Sequence, residues 1–256
     1  MVAAPNSGWA SQVYGEPDLD RLWNAVATAM RLDEVDPVTE WRQRAKTLAV
    51  RAAALDALEL TEVRYTGEGT DLTVGLVRDC RWTGGGTSDP EGIAYMPNLP
   101  TEEVFTSPDP DRTQGHVTST KPLVLKDGTI VRGLKVRFEG GRAVDVDADE
   151  NGGAIRVVTE SDDGAARLGE VALVDRQGRI GPLGTVFYDT LLDENSASHI
   201  AFGHGFAFAV GDDDASRIND SGIHVDFMIG SPELEVTGVT TDGTHVPVLR
   251  QGDWQI

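Results

Sequence analysis

Two histidine-containing stretches carry the residue types best suited to chemistry. In DENSASHIAFGHGF, His199 and His204 stand among small and apolar residues beside an acidic triplet. In HVDFMIG, His224 and Asp226 are two residues apart on a predicted strand, so their side chains point to the same face. Such side chains can bind one metal ion together, although a histidine among apolar residues often serves packing and an H-x-D pair is often a surface hydrogen bond.

Glutamates supply further candidate oxygen ligands. Glu170 lies near the start of the apolar run LGEVALV, where a buried carboxylate must be neutralised, paired or bound to a metal. Glu102 and Glu103 are adjacent in NLPTEEVFTSP and point to opposite faces of an extended chain, which lets one bind a metal while the other acts as a base. With the histidines and the aspartate, they form the mixture of nitrogen and oxygen donors that zinc, cobalt and manganese hydrolases use.

Three other motifs are weaker candidates for chemistry. The glycine-rich segment WTGGGTSDPEG lacks the GK[ST] of a phosphate-binding loop. DVDADENGG has aspartates at alternate positions, but Glu150 and Arg156 stand where a calcium loop needs glycine and a bidentate glutamate, so we expect a solvated acidic turn. Cys80 has no histidine near it in the sequence, which favours a buried structural role over a nucleophilic one.

The apolar pattern divides the chain into a helical start and a β-rich remainder. Three- and four-residue spacing predicts an amphipathic helix from Asp18, and an aspartate-proline pair at Asp36 predicts the start of a second helix that ends near Leu60. Two short strands follow, joined by the turn GEGTD, and later apolar runs alternate with turns. We therefore predict an α+β protein, with a partial α/β domain in residues 1–85, a glycine-rich hinge, and a mainly β, metal-binding domain in residues 86–256.

Composition excludes several classes of partner. The 256 residues include 22 lysines and arginines against 42 aspartates and glutamates, a net charge of −20, and no basic cluster that would neutralise nucleic-acid phosphates. No segment has the length and apolarity of a membrane span, and the start of the sequence has no signal-peptide pattern. Cys80 is the single cysteine, so no disulfide can form within the chain, and we expect a protein of the cytoplasm.

Five blocks of the sequence together resemble one family of metal-dependent peptidases. The blocks are NLPTEEVFTSP, GAARLGEVALV, FYDTLLDENSASHIAFG, GIHVDFMIG and TTDGTHVPVL. They are similar to the M29 family of metallo-aminopeptidases, also called the aminopeptidase T or thermophilic metalloprotease family. The resemblance implies a cytoplasmic, homodimeric exopeptidase that removes N-terminal residues from peptides, in which the β-rich domain is catalytic and a water bridges two divalent ions of zinc, cobalt or manganese.

The resemblance also implies a set of site residues. The metal ligands would be one glutamate of the adjacent pair, Glu170, His199, His224 and Asp226. Of the pair, we favour Glu103 as the ligand and Glu102 as the catalytic base. His204 is not expected to join them, because a separation of five residues from His199 gives neither helical neighbours nor a shared strand face.

Two departures from the family pattern keep alternatives open. Phe206 stands seven residues after His199, where the resemblance implies a tyrosine whose hydroxyl stabilises the tetrahedral intermediate. Loss of one such donor lowers the rate by about 10²–10³. The chain is also shorter than the family pattern at its N-terminal side, as a fragment or a shortened relative would be. The alternatives to a working aminopeptidase are a metal-binding, catalytically weak paralogue and a non-enzymatic β-rich interaction module.

Overall fold

The computed structural model describes residues 1–211 and 217–256. The described residues contain five α-helices: α1 (Ser7–Tyr14), α2 (Leu19–Ala29), α3 (Pro37–Asp56), α4 (Gly152–Thr159) and α5 (Thr190–Glu194). They also contain seventeen strands: β1 (Leu60–Gly67), β2 (Thr70–Leu76), β3 (Thr83–Gly84), β4 (Thr87–Ser88), β5 (Ala94–Tyr95), β6 (Glu103–Thr106), β7 (Pro108–Thr118), β8 (Leu123–Val124), β9 (Ile130–Val131), β10 (Lys135–Glu139), β11 (Arg142–Asp147), β12 (Leu168–Val174), β13 (His199–Gly203), β14 (His224–Met228), β15 (Glu235–Thr240), β16 (His245–Arg250) and β17 (Asp253–Trp254). Within these residues, no helix combines the length and the apolar composition of a membrane span.

Helices α2 and α3 begin where the sequence predicts. The Asp18 carboxylate accepts a hydrogen bond from a backbone N–H of the first turn of α2, and Asp36 caps α3 in the same way. Pro37 occupies the first position of α3, where the missing N–H would have no helical partner. Helix α3 ends at Asp56, earlier than the predicted Leu60, because β1 already begins at Leu60.

Most strands belong to two antiparallel sheets. The larger sheet has the order β11-β10-β7-β2-β1-β15-β16-β17, and the smaller has the order β14-β13-β12-β6-β3. Two short hairpins, β4 with β5 and β8 with β9, complete the described strands. Both sheets contribute to one main apolar core, which includes Leu48 of α3, Tyr65 of β1, Phe138 of β10 and Phe202 of β13. The prediction of an α+β protein with a mainly β remainder is confirmed.

The predicted domain boundary at residue 85 crosses the larger sheet. Strand β1 pairs with β15 and with β2, and β2 pairs with β7, so strands from both sides of the boundary lie next to each other. Within the glycine-rich segment that was predicted as a hinge, β3 pairs with β6 of the smaller sheet. Gly85 has a φ of +84° and passes so close to α3 that a Cβ atom there would lie 2.2 Å from the Ala45 carbonyl oxygen.

A smaller apolar cluster joins the N-terminal helices to the segment around α5. Helix α1, which the sequence analysis did not predict, is capped by the Asn6 side chain. Leu22 of α2 is fully buried in this cluster together with Phe187 and Leu192. The Trp9 indole N–H donates to the Phe187 carbonyl oxygen at 2.5 Å. The helical start of the chain therefore packs directly on the acidic segment that leads to His199.

Candidate metal centre

Five predicted site residues share one face of the smaller sheet. In an antiparallel sheet, directly paired residues and alternate residues along each strand project from the same face. Strand β12 pairs with β13 and β6, and β13 pairs with β14, so the registers of these pairs show which residues share a face. The residues that it places on this face are Glu103, Glu170, His199, His224 and Asp226.

The opposite face of the same strands is apolar. Val171 and Leu173 of β12, Ile200 and Phe202 of β13, and Phe227 of β14 all belong to the main core. Because core packing takes one set of alternate positions, every ionisable residue of these four strands is left on the other face. The strict alternation thus gathers the donors from four separate sequence blocks.

The five residues form two donor groups that share Glu170. Glu103, Glu170 and His199 offer ligand atoms that all lie within 4.8 Å of one another. The same limit holds for Glu170, His224 and Asp226. Within residues 1–211 and 217–256, these are the two groups of three or more such side chains with this geometry.

Backbone carbonyl groups orient both histidine rings. Nδ1 of His199 lies 3.2 Å from the Ala197 carbonyl oxygen, and Nδ1 of His224 lies 2.8 Å from the His204 carbonyl oxygen. A carbonyl oxygen only accepts hydrogen bonds, so Nδ1 carries a proton in both rings. In each neutral imidazole the lone pair is then on Nε2, the atom that faces the carboxylates.

The Nε2 atoms lie between the imidazoles and the acidic side chains. In His199, Nε2 is 3.1 Å from Oε2 of Glu103. In His224, Nε2 is 3.1 Å from Oε2 of Glu170 and 3.3 Å from Oδ1 of Asp226. These contacts place each imidazole lone pair and its neighbouring carboxylate oxygens around a common point, as metal ligation requires.

Burial and the neighbouring charges shift the pKa values of both histidines and of Glu170. Burial would lower the pKa of His199, but the Glu103 carboxylate outweighs burial and raises the pKa to about 10. Burial would also lower the pKa of His224. Asp226 and Glu170 outweigh it and raise this pKa to about 11. Burial also raises the pKa of Glu170, with the charges of Glu103 and Asp226 adding to the shift.

A divalent cation fits this donor set. Glu103 is buried, and its Oε2 atom lies 3.1 Å from Nε2 of His199, so it loses this partner when the imidazole is neutral, as metal ligation requires. A buried carboxylate oxygen without such a partner is costly, and a bound cation would satisfy it. Two imidazoles with three carboxylates are also the donors that zinc, cobalt and manganese accept.

The chain as a whole matches a family of metal-dependent peptidases. A family model described as thermophilic metalloprotease (M29) matches residues 1–254. The chain belongs to the M29 family. The resemblance inferred from the five sequence blocks is thereby confirmed.

Several aminopeptidases of the M29 type are similar to this chain. Sequence identity is 44% with aminopeptidase T of Thermus aquaticus and 39% with aminopeptidase PepS of Streptococcus thermophilus. Both alignments cover 100% of this chain and 65% of the relative, so the chain spans just under two thirds of their length. The solved structure of wild-type AmpT from Thermus thermophilus superimposes with a TM-score of 0.91 at 42% identity, over 100% of this chain and 64% of that one.

Glu102 is placed away from the two donor groups of this M29 chain. Its side chain is fully buried, and its oxygens accept hydrogen bonds from Nη2 of Arg31 at 2.7 Å and from Nε of Arg44 at 2.5 Å. The two adjacent glutamates do point in different directions, as their spacing predicts. Two guanidinium groups already engage both oxygens of its carboxylate, which argues against the predicted role of Glu102 as the base.

Glu194 is an acidic neighbour of the site that the sequence analysis did not single out. It ends α5, a helix that contacts β14, and its side chain is partly exposed. Burial raises its pKa well above the usual value, and the charges of Asp226 and Glu103 add to the shift. The available sequence signal was its place in the DEN triplet five positions before His199.

Phe206 lies at the edge of the site. Its ring centroid is 5.3 Å from that of His224 and 5.4 Å from that of Phe105, in an aromatic group that includes the exposed Phe208. A phenyl ring has no hydrogen-bond donor, so the contact with His224 is a packing contact. His204 belongs to neither donor group, as predicted, and its ring faces Asp220 at the surface.

The weaker sequence motifs show no metal-binding arrangement among the described residues. In the acidic turn, Asp147 pairs with Arg156 at 3.3 Å and Asp149 pairs with Lys135 at 2.8 Å, all of them exposed. These ion pairs agree with a solvated turn. Burial raises the pKa of Cys80 to about 11, so its thiol stays protonated and unreactive near neutral pH.

Proposed function

We propose that this chain carries the dinuclear metal site of an aminopeptidase. The observation that supports the proposal most directly is that two groups of three donors share Glu170. We assign Glu103 and His199 to one ion, His224 and Asp226 to the other, and Glu170 to both as the shared ligand. This assignment uses every ionisable residue that the register of β6, β12, β13 and β14 gathers on this face of the smaller sheet.

The residues around the donors suit peptide hydrolysis. When bound, two divalent ions would lower the pKa of a bridging water and polarise the peptide carbonyl group. We propose Glu194 as the base, because burial and then the charges of Asp226 and Glu103 raise its pKa, as expected for a carboxyl group that faces these ligands. The acidic surroundings would also attract the ammonium group of a substrate, which accounts for selection of a free N-terminus.

A change of Glu194 to Gln tests its role as base. Because Glu194 lies outside both donor groups, we expect Glu194→Gln to retain its metal content while kcat falls by about 10²–10⁴. Metal content is measured by atomic emission, and kcat with an aminoacyl reporter. Glu160→Gln, an exposed change immediately after α4, is the matched control and should leave both values unchanged. Loss of metal from Glu194→Gln would instead make Glu194 a ligand.

A metal-binding paralogue with weak activity is the second candidate function. Phe206 favours it, because the ring beside His224 provides no donor for a developing oxyanion. A non-enzymatic β-rich module is less well supported, since surface residues rarely converge in two adjacent donor groups, one of which is fully buried.

The cellular setting and assembly follow from the family resemblance. We propose a cytoplasmic homodimer that acts on peptides with a free N-terminus, with zinc, cobalt or manganese as the metal. The relatives are named aminopeptidases, and this chain spans 65% of their length, so its activity has to be measured on this chain itself. Sedimentation velocity tests the dimer directly.

Metal stoichiometry and turnover, measured on one sample, test the proposal. The protein is reconstituted with Zn²⁺ or Co²⁺, and hydrolysis of Leu- and Arg-aminoacyl reporters is followed. We expect about two ions per chain, and Glu170→Ala should lose both ions and turnover because both donor groups share this residue. Asp147→Ala, which changes the acidic turn, is the matched control and should behave like the unchanged protein.

Each outcome points to one candidate function. Two ions with turnover that Glu170→Ala abolishes would establish the aminopeptidase. Two ions without turnover would favour the weak paralogue. Absence of stoichiometric metal would refute the metal centre and leave the interaction module.

A further inference from the structure

A buried network of four charges lies next to the metal centre. Arg44 of α3 donates from Nε to Glu102 at 2.5 Å, and from Nη2 to Asp175 at 2.9 Å. Arg31, which follows α2, donates to the second oxygen of Glu102 at 2.7 Å. All four side chains are less than a tenth exposed, and their charges sum to zero.

The network connects elements that are distant in the sequence. Arg31 and Arg44 come from the helical start of the chain, Glu102 precedes β6, and Asp175 follows β12. Asp175 also accepts a hydrogen bond from the Trp254 indole N–H at 2.7 Å, which adds β17. Buried ions hold such geometry tightly, because loss of one partner leaves an uncompensated charge.

Every polar group of Glu102 has a partner. Besides the two carboxylate contacts, its backbone N–H donates to Oδ1 of Asn195 at 2.6 Å. Its carbonyl oxygen accepts from Nη2 of Arg44 at 3.2 Å. The backbone at this position is therefore fixed from both sides, immediately before β6 begins at Glu103.

Glu103 itself has much weaker restraints on its side chain. Oε2 of Glu103 lies 3.1 Å from Nε2 of His199, and a neutral, metal-ligating imidazole with its proton on Nδ1 cannot donate to it. Its direction toward Glu170 and His199 therefore depends on the backbone of β6 and on the residue before it. A ligand that is held within about 0.5 Å of its productive position needs a support of this kind.

We propose that Glu102, held by Arg31 and Arg44, is the positioning residue for the metal ligand Glu103. The inference rests on the proposed function, since it assumes that Glu103 binds metal. It makes the helical start of the chain a part of the metal site, because α3 and the segment that follows α2 supply the two guanidinium groups. The network sets metal affinity through the geometry of Glu103 and does not contact the ion.

If Glu102 positions Glu103, its substitution should weaken metal binding more than a substitution elsewhere that destabilises the fold. Two variants allow this comparison. Glu102→Gln keeps the shape of the side chain and removes its charge, while Val136→Ala removes a buried contact in the larger sheet, away from the network. Affinity for Zn²⁺ is measured by chelator competition at a temperature where circular dichroism shows each variant folded. The visible absorption of bound Co²⁺ reports the coordination geometry.

We expect Glu102→Gln to bind Zn²⁺ about 10- to 100-fold more weakly, as changes in residues that orient metal ligands typically do. Its Co²⁺ spectrum should change as well. Val136→Ala should lower the melting temperature but keep affinity and spectrum. Arg31→Lys keeps the charge and loses the planar fork, so it should show a smaller loss of affinity, and it decides the comparison if Glu102→Gln does not fold.

The outcomes separate this inference from the proposed function. An unchanged protein that binds no Zn²⁺ stoichiometrically overturns the proposed metal centre. Binding by the unchanged protein with equal affinity in Glu102→Gln overturns only the positioning role. Equal losses of affinity in Glu102→Gln and Val136→Ala also overturn it, since affinity would then follow stability alone.

Discussion

At the scale of single residues, the protons of His199 and His224 are coupled to metal binding. Neighbouring carboxylates raise the pKa values to about 10 and about 11, so both rings are charged at pH 7 in the metal-free protein. A ligating imidazole must be neutral, and we therefore expect metal binding at pH 7 to release about two protons. Titration calorimetry in buffers of different ionisation enthalpy measures this number.

His204→Gln is the control for proton release, because the His204 ring is half exposed and lies outside both donor groups. It should leave the number of released protons unchanged, while His199→Gln should reduce it. Binding heats that do not depend on the buffer would contradict the coupling.

Phe206 offers a test of the missing oxyanion donor. Phe206→Tyr adds a hydroxyl to a ring that already packs on His224, and we expect kcat to rise by up to about 10³ with little change in metal content. Reporter hydrolysis measures the change. Phe105→Tyr adds the same group to a neighbouring ring of the aromatic group, and an equal gain in both variants would show that position does not matter.

The residue types of the site could be predicted from the sequence, but their partners could not. Ligand chemistry restricts metal donors to a few residue types, which is why five candidates were identifiable. The distinction between Glu102 and Glu103 depends on Arg31 and Arg44, which are 71 and 58 positions away from Glu102. Glu194 escaped prediction because its importance depends on how α5 packs on β14.

At the scale of elements, α5 carries a carboxyl group that responds to pH. Asp193 accepts hydrogen bonds from the backbone N–H of Phe187 at 2.8 Å and of Asp189 at 3.3 Å, and burial raises its pKa to about 6. The unfolded value is about 3.9. The folded state thus binds the extra proton between these values, so this group makes stability fall as pH rises from about 4 to about 6.

We expect Asp193→Asn to remove this decrease in stability, because asparagine retains an acceptor for Phe187 and does not ionise. Melting temperatures between pH 4 and pH 8 measure the effect. Asp162→Asn is a control with the opposite sign, since hydrogen bonds led by the Gly222 N–H lower the pKa of Asp162 and its contribution is lost as pH falls. A slope that persists in Asp193→Asn would assign it to another group.

Local elements were the predictable part of the fold. Helices α2 and α3 follow from apolar spacing and from capping residues next to them in the sequence. The turn between β1 and β2 follows from the glycines and the polar residues of GEGTD. The sheet order depends on pairs such as Val63 with Gly238, which no local pattern specifies. For the same reason, the domain division at residue 85 could not reveal that β1 lies between β2 and β15.

At the scale of the whole molecule, the shared sheet determines how the chain unfolds. Because β1 and β2 pair with β15 and β7 in the middle of the larger sheet, and α3 packs in the main core, residues 1–85 depend on the rest of the chain for much of their packing. We expect tryptophan fluorescence, which includes Trp9 and Trp41 of the helices, to follow the same denaturant transition as the far-ultraviolet signal of the sheets.

Val63→Ala makes this expectation quantitative. Val63 is fully buried in β1, and its truncation should lower the free energy of unfolding by about 2 kcal/mol and shift both transitions together. Val157→Ala, at an exposed position of α4, should shift neither. Two independent domains would instead give separate midpoints, with Val63→Ala moving one of them. A shared shift would mean that the N-terminal segment that contains Arg31 and Arg44 folds together with the sheet that holds the proposed metal ligands.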